Sequence, residues 1–245
     1  MGAMRKLPLL IGVVLGAFAP SAAAAPADLP RGSEPVRLDP ARFSTRITNP
    51  YWPMRPGTRW VYRETDADGA RQRVVVTVTR RTKRIANGVT ARVVHDVASE
   101  GGEPLEVTDD WYAQDRAGNV WYLGEDTAEY EDGEVVSREG SFEAGVDGAQ
   151  AGVVMPARPR KGLRYRQEYY AGHAEDRARI VSRREQAGVP FGHFRRVLMT
   201  REDNPLEPRV LEFKFYARGI GPVLAVGVSG GSDREELVRY RRGRG

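Results

Sequence analysis

Cysteine is absent from the chain, and histidine occurs only three times in 245 residues. The first absence excludes a disulfide scaffold, a zinc–thiolate site, an iron–sulfur cluster and a thiol nucleophile. The second argues against a multi-histidine metal centre and against histidine-based catalysis. GxSxG, a P-loop, GxGxxG after a strand and HExxH are also missing, and Ser141, Ser182 and Ser229 have no triad-like surroundings. Common hydrolase and nucleotide-enzyme classes are thereby disfavoured. What the chain does have is 40% hydrophobic and 29% charged residues, an ordinary globular balance.

The N-terminus reads as a processing segment. Arg5 and Lys6 precede an apolar run from Leu7 to Phe18, and small residues follow through Ala25. Basic, apolar, then small is the layout of a cleavable signal peptide, and the apolar run is too short for a spanning helix. No cysteine follows it to carry a thioether-linked lipid. The expectation is a signal peptide over residues 1–25 and a secreted or extracytoplasmic protein of the cell envelope, with no transmembrane anchor after cleavage. Loss of that segment takes away Arg5, Lys6 and no acid, so the net charge falls from +5 to +3. Acids and bases interleave, so no nucleic-acid partner is expected. The basic residues cluster only at Arg239, Arg241, Arg242 and Arg244, a patch that would suit an anionic envelope polymer and that reads more simply as a frayed tail.

Residues 26–50 hold five prolines and form an extended lead-in, with a helical turn capped by Asp39 before Pro40. Residues 51–245 form a single β-rich domain. Thr58–Glu64, Arg71–Thr82 and Val89–Ala98 are rich in branched and aromatic residues, and Asn87-Gly88 is a hairpin signal. Turn signals recur every 10–15 residues or so, which favours an antiparallel meander over βαβ units. The expected fold is all-β, with ten or more strands curled into a barrel or half-barrel, or else split into a sandwich. Ser232-Asp233-Arg234-Glu235 fits a helix capping box, yet a closing strand over Glu235–Arg241 fits equally well. The stretch Ser141–Gly162 has little strand pattern and reads as a packed-down loop covering one opening of the shell.

Polar residues on otherwise apolar strand faces give the best clue to a site. Asp109 lies on the face of Leu105, Val107 and Trp111. Asp176 lies on that of Ala174, Ala178 and Ile180. Gln167 lies on that of Leu163, Tyr165 and Tyr169. An unpaired buried carboxylate costs several kcal/mol, so these residues need partners or a wet cavity. If the three faces share one interior, Asp109, Trp111, Tyr165, Gln167, Tyr169 and Asp176 line a pocket for a lipid or small amphipathic ligand. The competing explanations are arginine ion pairs or a register slip of one residue. Asp109, Glu168 and Asp176 would be the acids of an alternative, hydrolytic reading on envelope polymers. A third reading is a surface interaction protein that uses outward aromatic rings and the arginine tail. The DRAGN turn, Asp115–Asn119, lacks the acidic ladder of a calcium loop. His173, between Glu168 and Glu175-Asp176, is the nearest thing to a metal cluster, and a lone hydrogen-bonded histidine explains it better. No catalytic residue, metal ligand or cofactor is assigned.

NPYWPMRPGTRWVYRE at Asn49–Glu64, DDWYAQDRAGNVWYLGED at Asp109–Asp126, the run from Ser141 to Asp176 and FYARGIGPVLAV at Phe215–Val226 carry a resemblance. They resemble an uncharacterised family of exported, signal-peptide-bearing bacterial β-rich proteins. The resemblance covers most of the mature chain and implies an exported β-rich domain, with no reaction, substrate or catalytic residue to carry over. That family often has other polar residues near His173, which weakens a metal role there. The picture is also similar, in architecture alone, to curled-sheet lipid carriers of bacterial envelopes.

Overall fold

The computed structural model describes residues 28–65 and 69–244. The expected signal peptide and most of the turn expected at 66–69 lie outside them. Sixteen strands follow one another: β1 (Phe43–Ser44), β2 (Arg59–Thr65), β3 (Arg71–Arg84), β4 (Thr90–Glu100), β5 (Glu103–Asp115), β6 (Val120–Glu131), β7 (Glu134–Ser137), β8 (Phe142–Glu143), β9 (Gln150–Met155), β10 (Arg164–Arg166), β11 (Glu168–Tyr169), β12 (Arg177–Val189), β13 (Gly192–Asp203), β14 (Leu211–Ala217), β15 (Gly221–Ser229) and β16 (Arg234–Arg241).

Valines at alternate positions of β3 set its inner face: Val74 lies opposite Tyr62 of β2, and Val76 opposite Trp60. Tight turns carry this pairing from strand to strand. Asp132-Gly133, both with positive φ (52° and 82°), make the primed turn between β6 and β7 whose twist matches that of the strands. The resulting sheet runs β10-β12-β13-β14-β15-β16-β2-β3-β4-β5-β6-β9-β11, with every pair antiparallel.

The two ends of that path, β10 and β11, are one piece of chain joined through Gln167. β10 pairs with β12, β11 pairs with β9, and the Gln167 amide donates to the Asp176 carbonyl at 2.7 Å. The sheet thus curls into a nearly closed barrel, which protects its edges. Between the expected alternatives, barrel and sandwich, the barrel is what forms.

The seam depends on small side chains. A Cβ at Gly152 on β9 would sit 2.2 Å from the Gln167 carbonyl carbon and oxygen. Ser141–Gly162 is therefore not a cover over an opening: β8 and β9 both pair with β6, so the segment is barrel wall. Its Ala and Gly residues weaken the alternation seen in sequence, yet they are what lets β9 approach β11 so closely.

The lead-in is pinned to the outside of the seam. Asp39 Oδ1 caps the expected helical turn by accepting from the Ala41 amide at 3.0 Å. The buried Arg166 side chain donates to the carbonyls of Ala151, Gly32 and Glu34. The chain then crosses one end of the barrel. Ile47 bridges to Met54, and the Trp52 ring packs on Tyr112 and Tyr216 at centroid distances of 5.8 and 5.7 Å. This plug leaves the barrel blind at that end. The C-terminus is tied down rather than frayed: β16 pairs with β2 through Arg241, and the Gly243 amide donates to Thr58 Oγ1 at 3.0 Å.

Candidate functional site

Strand alternation fixes which side chains face the lumen. Asp96 lies opposite Val76 on one side and Thr108 on the other, and Asp110 lies opposite Val94 and Glu125. Across the barrel, Lys214 lies opposite Thr200 and Ala225, and Glu235 opposite Ala225 and Glu64. Near the plug these residues bound a chamber of about 240 Å³ with an aromatic floor of Trp52, Trp60, Tyr62 and Tyr112 and a polar wall of Asp96, Asp110, Lys214 and Glu235. A wider space of about 480 Å³ toward the open end is lined by Glu64, Gln72, Glu106, Glu129 and Glu131. Asp96 and Glu235 line both, so they stand at the junction.

The polar wall has two halves of different character. In one, Glu202 is a satisfied hub: it accepts from Thr200 Oγ1 (2.7 Å), Tyr216 Oη (3.2 Å) and Gln167 Nε2 (3.3 Å), and it pairs with Lys214 Nζ (3.1 Å). Lys214 also reaches Glu212 at 3.1 Å. In the other half, carboxylates crowd one another. Asp110 accepts from Tyr122 Oη at 2.7 Å, and the Thr108 and Thr127 hydroxyls share a 2.6 Å bond. The Oδ1 of Asp96 is sealed from solvent and meets no donor.

Desolvation is the main reason these acids hold their protons. It pushes Asp96 up to about 7, with Asp110 and Glu106 adding to the rise. It pushes Asp110 to about 6 against the two tyrosine hydroxyls. Burial also takes Glu125 and Glu235 to about 8, with the charges of Asp110 and Asp96, respectively, adding to it. Glu168 and Asp176 form a crowded pair, each raised first by burial. Among the described residues, no three His, Asp or Glu side chains converge as a metal ion requires.

The sequence-selected residues divide between the two faces of the barrel. Tyr165, Gln167 and Asp176 come together inside: Tyr165 and Asp176 both sense the charges of Glu202 and Lys214, and Gln167 bonds Glu202. Asp109 and Trp111 are placed differently from the expectation. Their strand neighbours Asp110 and Tyr112 take the lumen, so Asp109 points outward into a two-pronged ion pair with Arg81 (2.7 and 2.8 Å) and bonds His95 Nδ1 at 2.8 Å. Trp111 is buried on the outer face under Lys83, whose ammonium lies 4.0 Å from the ring centroid. Tyr169 is also displaced. The Gln167 and Glu168 amides both reach the Asp176 carbonyl, which breaks the alternation and sends Glu168 inward, leaving Tyr169 beside Arg166. Asp109 therefore shares no space with Glu168 and Asp176. The remaining histidines are His173, stacked on Tyr170, and His193, bonded to Gln186 at 3.0 Å.

Sequence reasoning missed Asp96, Asp110, Glu125, Lys214 and Glu235. Asp96, Asp110, Glu125 and Glu235 each sit next to another charged or polar residue, so the alternation was hard to phase, whereas Lys214 lies between Phe213 and Phe215, which draw the eye to the other face of the strand. The available signal was cross-strand: Asp96 and Asp110 share a face with Val94 and Val76.

Fold and site together define an antiparallel β-barrel with a blind lumen, aromatic at its floor and acidic above. No family model matches the chain, and no curated protein does. A solved structure from Parabacteroides distasonis ATCC 8503, described as a "putative lipoprotein", is similar with a TM-score of 0.44 and 12% identity, over 78% of this chain and 98% of that one. A likeness of that size says nothing about what either protein binds.

Proposed function

We propose that this chain is an extracytoplasmic, non-enzymatic binding protein that holds a small amphipathic molecule in the barrel lumen. The observation that carries the reading is the chamber itself: a plugged, part-enclosed space with aromatic rings at its base and polar groups on the wall toward the open end. The basic residues ahead of the apolar segment at 7–18 support export. The outward face of the β12–β13 hairpin, with exposed Arg177, Arg179, Arg183, Arg184, Arg195 and Arg196, supports life in water or against anionic envelope material rather than within hydrocarbon. Among the described residues, no helix is long and apolar enough to cross a membrane. The Arg81 clamp on Asp109 disfavours the hydrolytic alternative in its three-acid form.

The test is uptake of a neutral environment-sensitive dye, N-phenyl-1-naphthylamine, by the purified protein. The expected result is a saturable rise in fluorescence that Ala225→Trp abolishes while its cooperative melt persists, because Ala225 lines the chamber. Absence of any saturable signal, together with no small molecule copurifying in native mass spectrometry, overturns the reading.

A further inference from the structure

Charge inside the barrel is almost wholly of one sign. Among the described residues lining the two adjoining spaces, Lys214 is the one cation, and Glu202 and Glu212 already hold it. Asp96, Asp110 and Glu235 remain on the chamber wall with no cation in contact. Arginines are plentiful but spent on the outer surface: Arg81 on Asp109, Arg63 and Arg234 on Glu236, Arg177 on Asp203. A stability-driven interior would have brought some of them in, or would have replaced the acids by apolar residues, since uncompensated buried carboxylates cost free energy.

A second observation singles out one member of this cluster by its hydrogen bonding. Asp96 Oδ1 is sealed by protein, meets no donor, and belongs to a side chain that lines the junction between chamber and mouth. Buried polar atoms are satisfied as a rule, and an orphan of this kind is an acceptor waiting for a donor. Two aromatic residues on the same wall, two strands along from Asp96, add a third element. Trp60 and Tyr62 line the same chamber, and aromatic rings attract cations once water is excluded.

We propose that the natural ligand of the chamber is an amphipathic organic cation, a protonated amine with a compact aromatic or apolar body, whose nitrogen lies between Asp96 and Glu235 and whose body rests on Trp60 and Tyr62. This inference rests on the lumen being a binding site and adds the sign of the ligand's charge. A bare metal ion fits less well, because the carboxylates are spread around the wall rather than converged on a point. The raised proton affinity of Asp96 and Glu235 agrees with the geometry: burial is its main cause, neighbouring acids add to it, and Lys214 offsets only part of it at Glu235.

Three indoles of nearly equal size and different charge test the proposal: tryptamine (cation), tryptophol (neutral) and indole-3-propionate (anion), titrated calorimetrically into the full chain at pH 8. A charge-assisted bond in a desolvated site predicts tryptamine at least about tenfold tighter than tryptophol, with the anion weakest. Asp96→Asn and Glu235→Gln each lower tryptamine affinity by about tenfold and leave tryptophol unchanged. Each of these variants removes a buried charge without changing volume, so its melting temperature at pH 8 stays the same or rises, which separates lost binding from lost folding. Equal affinity for tryptamine and tryptophol, no binding of any indole by a barrel that still takes up the neutral dye, or equal loss of both ligands in the variants overturns the cation proposal alone. Failure of the neutral dye to enter overturns the binding function and, with it, this proposal.

Discussion

Asp109 and Asp110 are adjacent in the chain and opposite in environment. Arg81 grips Asp109 on the outer wall with two bonds and holds its carboxyl below the usual range against the cost of burial, whereas Asp110 faces the lumen, bonded by Tyr122 Oη at 2.7 Å and pushed up to about 6 by burial. Paired substitutions separate the two roles. Asp109→Asn removes a half-exposed ion pair and lowers stability by about 0.5–1 kcal/mol at pH 7. Asp110→Asn keeps an acceptor for Tyr122 and removes a desolvated charge, so it raises stability by about 1–2 kcal/mol at pH 8 and by close to nothing at pH 4. Urea unfolding of both variants at the two pH values checks this. A loss on Asp110→Asn at pH 8 would show that the carboxylate is a structural asset.

That one-residue offset also explains what was legible in the sequence. Branched and aromatic runs, with Asn-Gly and Asp-Gly between them, announced an antiparallel all-β chain, because a strand's side-chain period and a primed turn are local properties. The phase of a strand is not local. In β5 both faces carry large apolar residues, Trp111 outside and Tyr112 inside, and only the register with Val94 and Asp96 of β4 decides which is which. Trp111 looks like a core residue because it is one: the Lys83 stem covers it from outside. The bend after Gln167 is equally invisible, since it arises from two amides reaching one carbonyl across the seam.

The lumen acids make stability depend on pH with a definite sign. Asp96 near 7, Asp110 near 6, and Glu125 and Glu235 near 8 all lie above their unfolded values of about 4. Between those limits the folded state binds more protons than the unfolded one, so stability falls as pH rises. Lys214 moderates Glu235, while Asp110, Glu106 and Glu64 reinforce the shift at Asp96. On the outer wall Asp109 and Glu236 are lowered despite partial burial, chiefly by bonds from Arg81 and Arg63, and their contribution disappears below about pH 4. The expected urea profile therefore peaks near pH 4–5 and drops by roughly 5 kcal/mol or more by pH 8. A profile that is flat or rising from pH 5 to 8 contradicts the desolvated state of these carboxylates.

Closure of the barrel depends on the absence of one side chain. Gly152→Ala would place a carbon 2.2 Å from the Gln167 carbonyl and 2.6 Å from the Glu168 amide, both backbone groups that cannot swing aside. Parting β9 from β11 costs about 3 kcal/mol or more and opens the seam. Gly188→Ala is the control: its nearest heavy atom beyond the chain neighbours is His193 Nδ1 at 3.7 Å, an ordinary contact, and its effect stays within about 0.5 kcal/mol. Thermal melts of the two variants compare them directly, and similar melting temperatures would mean the seam is not a tight contact.

Arg166 fastens the lead-in to that same seam, and its removal tests whether the two are coupled. The guanidinium is buried and donates to Ala151 on β9 from two nitrogens (3.1 and 3.0 Å), to Glu34 at 2.7 Å and to Gly32, while the Arg166 amide reaches Pro30 at 2.8 Å. Arg166→Ala strips three carbonyls of their donor and leaves a hollow under residues 30–36, so about 2–4 kcal/mol of stability is lost. Arg166→Lys supplies one cationic point in place of a planar fork and recovers less than half of that. Hydrogen exchange distinguishes a local from a global effect. If the fork joins the lead-in to the barrel, the amides of Val36 and of β11 lose protection together in Arg166→Ala, whereas those of β3 and β4, on the far wall, keep theirs. Loss of protection confined to Val36 would show that the lead-in is an ornament on a seam that closes without it.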